Sequence, residues 1–100
     1  MKQGLILRVI EKDFGAAAPQ AVQIATCESG LQYQRIGDMN LTYDGGAFGY
    51  SVGLFQIREL PGRPSKTYLL DPLNNIAYAA GLYRKEGWGP WTCARILGIT

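Results

Sequence analysis

Ile6, Val9 and Ile10 recur at helical spacing within residues 3–14, with Arg8, Lys12 and Asp13 around the other side and Gly15 behind them as a stop. The pattern predicts a short amphipathic helix. Pro19 then stands where proline is tolerated at a first helical position, and Ala21, Val22, Ile24 and Ala25 carry a second helix to Ser29 and Gly30. From residue 37 to residue 53 no steady period survives, with Gly45, Gly46 and Gly49 scattered among Tyr43, Phe48 and Tyr50. This predicts a long irregular loop or a small β-hairpin. These glycines lack the spacing and lysine of a phosphate-binding loop. Leu54, Phe55 and Ile57 form a short apolar segment, helix or strand, that Pro61, Gly62 and Pro64 bring to an end. Asp71 as cap and Pro72 in the first turn open a third helix, with Leu73, Ile76, Ala77, Ala80 and Tyr83 at helical spacings up to Gly87. After Trp88, Pro90, Trp91 and Cys93, the pair Ile96 and Leu97 forms one more helical turn. With no repeat or linker, residues 1–100 read as one mostly α domain.

Composition supports a folded chain, since 47% of the 100 residues are apolar and only 18% charged. A domain this short buries a smaller share of its surface than a larger one, so a covalent staple matters. The two cysteines, Cys27 and Cys93, offer it. A disulfide between them would contribute roughly 2–4 kcal/mol in an oxidising compartment, and two buried free thiols are the alternative. A net charge of +2 with scattered Lys and Arg does not point to nucleic acid. Arg8, Glu11, Lys12 and Asp13 interrupt the apolar N-terminal stretch, which argues against a membrane span and against a signal peptide. Delivery would then follow another route, such as phage-induced lysis, or the domain would belong to a longer exported protein. The chain has no histidine. Ser-His and Cys-His nucleophile pairs and ordinary His-ligated zinc sites are therefore excluded, which leaves carboxylate chemistry, with no metal and no cofactor expected.

On a helix through residues 19–29, Glu28 lies seven positions after Ala21, four after Ile24 and three after Ala25, on the apolar stripe. Desolvation there, together with the negative end of the helix dipole, would keep the carboxyl protonated near neutral pH. A glycosidase general acid requires that state. The plainer alternative is a last-turn glutamate turned into solvent.

Four local patterns bring a family into view. Cys27-Glu28-Ser29-Gly30-Leu31 resembles the Glu-Ser-Gly element that carries the catalytic glutamate in lytic transglycosylases and goose-type lysozymes. Ser51-Val52-Gly53-Leu54-Phe55-Gln56-Ile57 is similar to the Ser-x-Gly-Leu-Met-Gln element lining their cleft. Asp71-Pro72 followed by Asn75-Ile76 resembles the opening of the next helix, where the Asn-Ile pair braces the site. Gly87-Trp88-Gly89-Pro90-Trp91-Thr92-Cys93 resembles the tail of resuscitation-promoting factors, small wall glycosidases of the same lysozyme-like superfamily. There a cysteine just before the catalytic glutamate pairs with the tail cysteine, which implies Cys27 with Cys93 here. The four elements follow the family's order over about two thirds of the chain.

The resemblance implies a mostly α, lysozyme-like domain that cleaves the MurNAc-β-1,4-GlcNAc strand of peptidoglycan, acting as a monomer at the cell wall. Glu28 would be catalytic, with Ser51, Gln56, Asn75 and Tyr78 on the substrate side. Ser51 stands where many lysozymes carry aspartate, which is the transglycosylase-like choice. That reaction needs one carboxylate, whereas hydrolysis with inversion needs a second, for which Asp44 and then Asp38 are candidates. Both aspartates have a competing role in satisfying turn backbone. Ala77-Tyr78-Ala79-Ala80-Gly81 looks like the family's Ala-Tyr-Asn-Ala-Gly element but falls directly on the Asn75-Ile76 helix, so the positioning tyrosine stays open between Tyr78 and Tyr83. Trp88 and Trp91 offer either sugar-stacking faces or core packing. The rival readings are a true muramidase, a chitin-cleaving enzyme, a wall-binding or virion structural module without turnover, and a disulfide-stapled inhibitor.

Overall fold

A computed structural model describes residues 1–37 and 50–100 of the chain. The expected positions Asp38 and Asp44 lie outside the described residues. The described chain is mostly helical, with a small three-stranded antiparallel sheet.

Helix α1 (Gln3–Phe14) buries Ile6, Ile10 and Phe14, one per turn, so a single stripe faces inward. Gly15 at φ 57° ends it, and a 3-10 turn (Gly15–Ala17) leads directly into α2 (Ala18–Ser29). The buried face of α2 is Ala18, Ala21, Ile24 and Ala25, mostly small side chains that let α1 pack against it. Gly30 closes α2 in the left-handed conformation at φ 66°, its N–H donating to the Thr26 carbonyl at 2.8 Å.

The irregular stretch carries strands at its ends. Strand β1 (Ile36–Gly37) pairs with β2 (Ser51–Val52), and β2 pairs with β3 (Ile57–Arg58) in the order β1-β2-β3. Residues 53–56 are a tight turn between β2 and β3, so Leu54 and Phe55 belong to neither helix nor strand, and only Ile57 of that apolar segment is extended. The turn is apolar because it is tucked inside, with Leu54 and Phe55 fully buried. Helix α3 (Lys66–Leu70) is absent from the hydrophobic pattern, since five residues are too few to show a period. Ser65 starts it by accepting from the Tyr68 N–H.

Helix α4 (Pro72–Glu86) begins as expected, with Asp71 Oδ1 accepting from the N–H groups of Leu73 and Asn74. Its buried residues are Asn75, Ile76, Ala79, Ala80 and Leu82, which leaves the expected Leu73 and Ala77 exposed and turns the face from the one expected. Helix α5 (Thr92–Leu97) starts earlier than the expected single turn, and it buries Cys93 and Ala94 while Ile96 stays 71% exposed.

Where α1, α4 and the tail meet, aromatic rings close the core. Phe14 stacks on Phe55 at 5.3 Å and on Trp88 at 5.7 Å, and Tyr83 lies 4.1 Å from Trp88. Cys27 and Cys93 form a disulfide that ties the end of α2 to α5. No described helix is long and apolar enough to cross a membrane.

Candidate active site

Glu28 sits in the last turn of α2, on the stripe begun by Ala21, Ile24 and Ala25, and is half-buried. It opens into a cavity of about 290 Å3 shared with Ser51, Gln56, Arg58, Pro90, Trp91 and Thr92. Elements far apart in sequence thus meet at one carboxyl group. Glu28 Oε2 accepts from the backbone N–H of Cys93 at 3.2 Å, in the first turn of α5. The neighbouring Cys27 is bonded to that same Cys93, so the disulfide holds both ends of the hydrogen bond together.

Ser51 and Arg58 reach the cavity because of strand register. They oppose each other across β2 and β3, while the adjacent pair Val52 and Ile57 lies in the core. Side chains alternate between the two faces of a sheet, so directing Val52 and Ile57 inward sends Ser51 and Arg58 to the opposite side. Arg58 went unrecognised in the sequence, as did Pro90 and Thr92. Its signal was the alternation Ile57, Arg58 after a turn, legible only once the register with Ser51 is known.

Gln56 lines the cavity, but its amide nitrogen is committed elsewhere. Nε2 donates to the carbonyls of Arg35 at 3.1 Å and Gly53 at 2.9 Å. With both N–H groups on backbone, the side chain offers substrate only its acceptor oxygen. A Cβ at Gly37 would stand 2.5 Å from that oxygen, so a glycine in β1 makes room for the glutamine.

Asn75 acts as the brace that the resemblance implied, and it does not stand among the residues lining the cavity, where a substrate contact was expected. It is fully buried. Its Oδ1 accepts from Phe55 N–H at 2.9 Å, while Nδ2 donates to the carbonyls of Val52 at 2.8 Å and Leu69 at 2.9 Å. One side chain therefore satisfies the buried backbone on both sides of the β2–β3 turn, where Ser51 and Gln56 are mounted. Gly53 explains itself by the same contact. It has φ 77°, and a Cβ there would collide with Asn75 Nδ2 and come 2.9 Å from the Leu69 carbonyl.

Tyr78 is likewise not brought to Glu28. It lines a separate cavity of about 280 Å3 formed by α4 residues, with Ala77, Gly81, Leu82 and Lys85. Tyr83 packs in the aromatic core against Phe14 and Trp88. Trp88 is a core residue too, its ring N–H donating to Gln20 Oε1 at 3.0 Å. Trp91 does both: it is 3% exposed, donates to the Phe55 carbonyl at 2.9 Å, and contributes to the cavity wall. A larger opening of about 560 Å3, lined by Val22, Gln23, Thr26, Cys27 and Leu97, carries no titratable group because Cys27 is disulfide-bonded.

No protein-family model matches this chain, and no curated protein or solved structure shows significant similarity to it. Among the described residues no three side chains gather as a metal site. Among the described residues, the cavity brings together the Glu28 carboxyl, the Ser51 hydroxyl, the Gln56 side chain, the Arg58 guanidinium and the Trp91 indole.

Proposed function

We propose that the chain is a lysozyme-like glycosidase that cleaves the MurNAc-β-1,4-GlcNAc strand of peptidoglycan, in the manner of a lytic transglycosylase. The observation that carries this reading is the setting of Glu28, half-buried at the cavity wall with one carboxylate oxygen held by the Cys93 N–H. Among the described residues lining that cavity it is the single carboxylate. Intramolecular transglycosylation needs one carboxylate. Glu28 protonates the departing glycosidic oxygen, and its conjugate base then takes the proton from the muramic C6 hydroxyl as that oxygen attacks C1. The anomeric bond to the leaving sugar is replaced by a bond to O6, giving a 1,6-anhydro end without water.

Ser51 and Gln56 share the cavity with Glu28 and carry groups that hydrogen-bond sugar hydroxyl and acetamido groups, and Trp91 supplies an apolar wall. The disulfide favours action in an oxidising compartment, as at the cell wall.

Mass spectrometry of the soluble products from purified peptidoglycan tests the reading. Anhydro-muropeptides from the wild type, absent with Glu28→Gln, are expected. Reducing-end products would move the reaction to hydrolysis and direct attention to Asp44. No soluble product from a folded wild-type protein would leave a wall-binding module as the better description.

A further inference from the structure

Among the described non-glycine residues only Leu31 and Gln56 hold a left-handed backbone, at φ 60° and 48°. Leu31 directly follows the Gly30 that ends α2. Gln56 closes the β2–β3 turn at the cavity. A residue with a long side chain is disfavoured in that conformation and persists in it where its surroundings fix it, a pattern that clusters at functional sites. What fixes it here is its own amide. Nε2 donates to the carbonyls of Arg35 at 3.1 Å and Gly53 at 2.9 Å, and the Gln56 backbone N–H donates to Gly53 as well, at 3.1 Å. The Arg35 carbonyl accepts a second bond, from the Gly53 N–H at 2.8 Å. Four hydrogen bonds thus converge on two carbonyls, one directly before β1 and one directly after β2.

Strand β1 has need of such a clamp. It is two residues long and pairs with β2 through Ile36 with Val52 and Gly37 with Ser51. Strands this short hold one another weakly by themselves. The same pairing seats Ser51, which lines the cavity with Glu28. Gly37 leaves room for the clamp, since a Cβ there would stand 2.5 Å from Gln56 Oε1.

We infer that Gln56 is a positioning residue, whose amide clamps β1 to the β2–β3 turn and thereby holds Ser51 in place for the glycan, an inference that rests on the glycosidase reading. Two carbonyl oxygens call for two N–H donors, and one amide nitrogen supplies both. A carboxylate of the same length would turn an oxygen toward them instead. The clamp matters for turnover because a misplacement of about 1 Å near the reacting groups lowers a rate on the order of 100-fold.

The test is a double-mutant cycle on product release from purified peptidoglycan, with each protein shown by circular dichroism to be folded at the assay temperature. Gln56→Glu keeps the side-chain length and an acceptor oxygen but loses the donating nitrogen, and it is expected to lower kcat/KM by about tenfold or more. Ser51→Ala should lower it too. The double variant should stand within about twofold of the weaker single variant, because both changes remove the same positioned group. Gly37→Ala leaves every group of Gln56 present and displaces its amide, so it should reproduce part of the loss and couple to Ser51→Ala in the same way. It carries the cycle if Gln56→Glu does not fold. Amide hydrogen exchange at Gly53, whose N–H lies inside the clamp, should quicken in both clamp variants. Gln56→Glu or Ser51→Ala within about twofold of the wild-type rate, or unchanged exchange at Gly53, overturns the inference and leaves the glycosidase reading in place. Losses that multiply in the double variant also overturn it, since Gln56 would then act on the glycan independently of Ser51. A folded wild type that releases no product removes both readings together.

Discussion

The backbone N–H of Cys93 donates to Glu28 Oε2 at 3.2 Å, although the two residues stand 65 positions apart. The side chain of that same Cys93 is bonded to Cys27, the residue next to Glu28. Backbone and side chain of one residue thus hold the carboxyl group and the helix that presents it. Reduction should therefore do more than loosen the chain. With 66 positions between the cysteines, losing the crosslink is expected to cost about 2–4 kcal/mol, lowering the melting temperature on the order of 10–20 °C. Below that lowered transition, the proposed wall-cleaving activity should also fall. A reduced protein that is folded and fully active would show that α5 holds its place at Glu28 without the bridge.

Glu28→Gln keeps an acceptor oxygen for the Cys93 N–H while removing the exchangeable proton. Its unfolding free energy should stay within about 1 kcal/mol of the wild type, because a near-isosteric change preserves the contact. Activity should drop by about 10²–10⁴-fold, the usual contribution of a general acid. Denaturant unfolding read beside product release separates these effects, and a variant that retains turnover would remove Glu28 from the chemistry.

Asn75→Ala strands three buried backbone groups, the Phe55 N–H and the Val52 and Leu69 carbonyls. The expected cost is about 3–5 kcal/mol, from unpaired polar groups plus the cavity left behind. Gly53→Ala should cost about 2–4 kcal/mol through its positive φ and the collision with Asn75. Because the two changes share one contact, the double variant should be less destabilised than the sum of the singles. Strict additivity in urea unfolding would mean that the two residues do not meet.

Tyr78→Phe should leave product release within about twofold of the wild type, since surface and near-surface changes away from a site usually matter little. A loss comparable to that of Glu28→Gln would place the tyrosine hydroxyl at the carboxyl after all.

Much of this architecture was legible in order of locality. The Ile6 and Ile10 stripe, the Asp71 cap and the Gly30 stop each depend on residues within a turn or two of one another, so periodicity and capping chemistry reveal them, whereas the buried Phe14 that ends the stripe was not read from the pattern. The cysteine pairing was implied by resemblance, and the structure forms it. The short α3 escaped because five residues carry no measurable period. Leu54 and Phe55 looked like part of a helix or strand because burial, which turns share with both, was the visible signal.

The sequence by itself determined the three longer helices, the chemistry available without histidine, and the glutamate on an apolar stripe. Tertiary structure alone decided which residues accompany that glutamate. The register of β2 on β3 sends Arg58 to the cavity beside Ser51, the fold fixes which backbone groups Asn75 braces, and the packing of α4 carries Tyr78 to a different cavity. A one-residue shift in strand pairing would reverse the first of these assignments without altering a single amino acid. Such pairings form between segments distant along the chain, and local patterns of polar and apolar residues do not encode which distant face each side chain will meet.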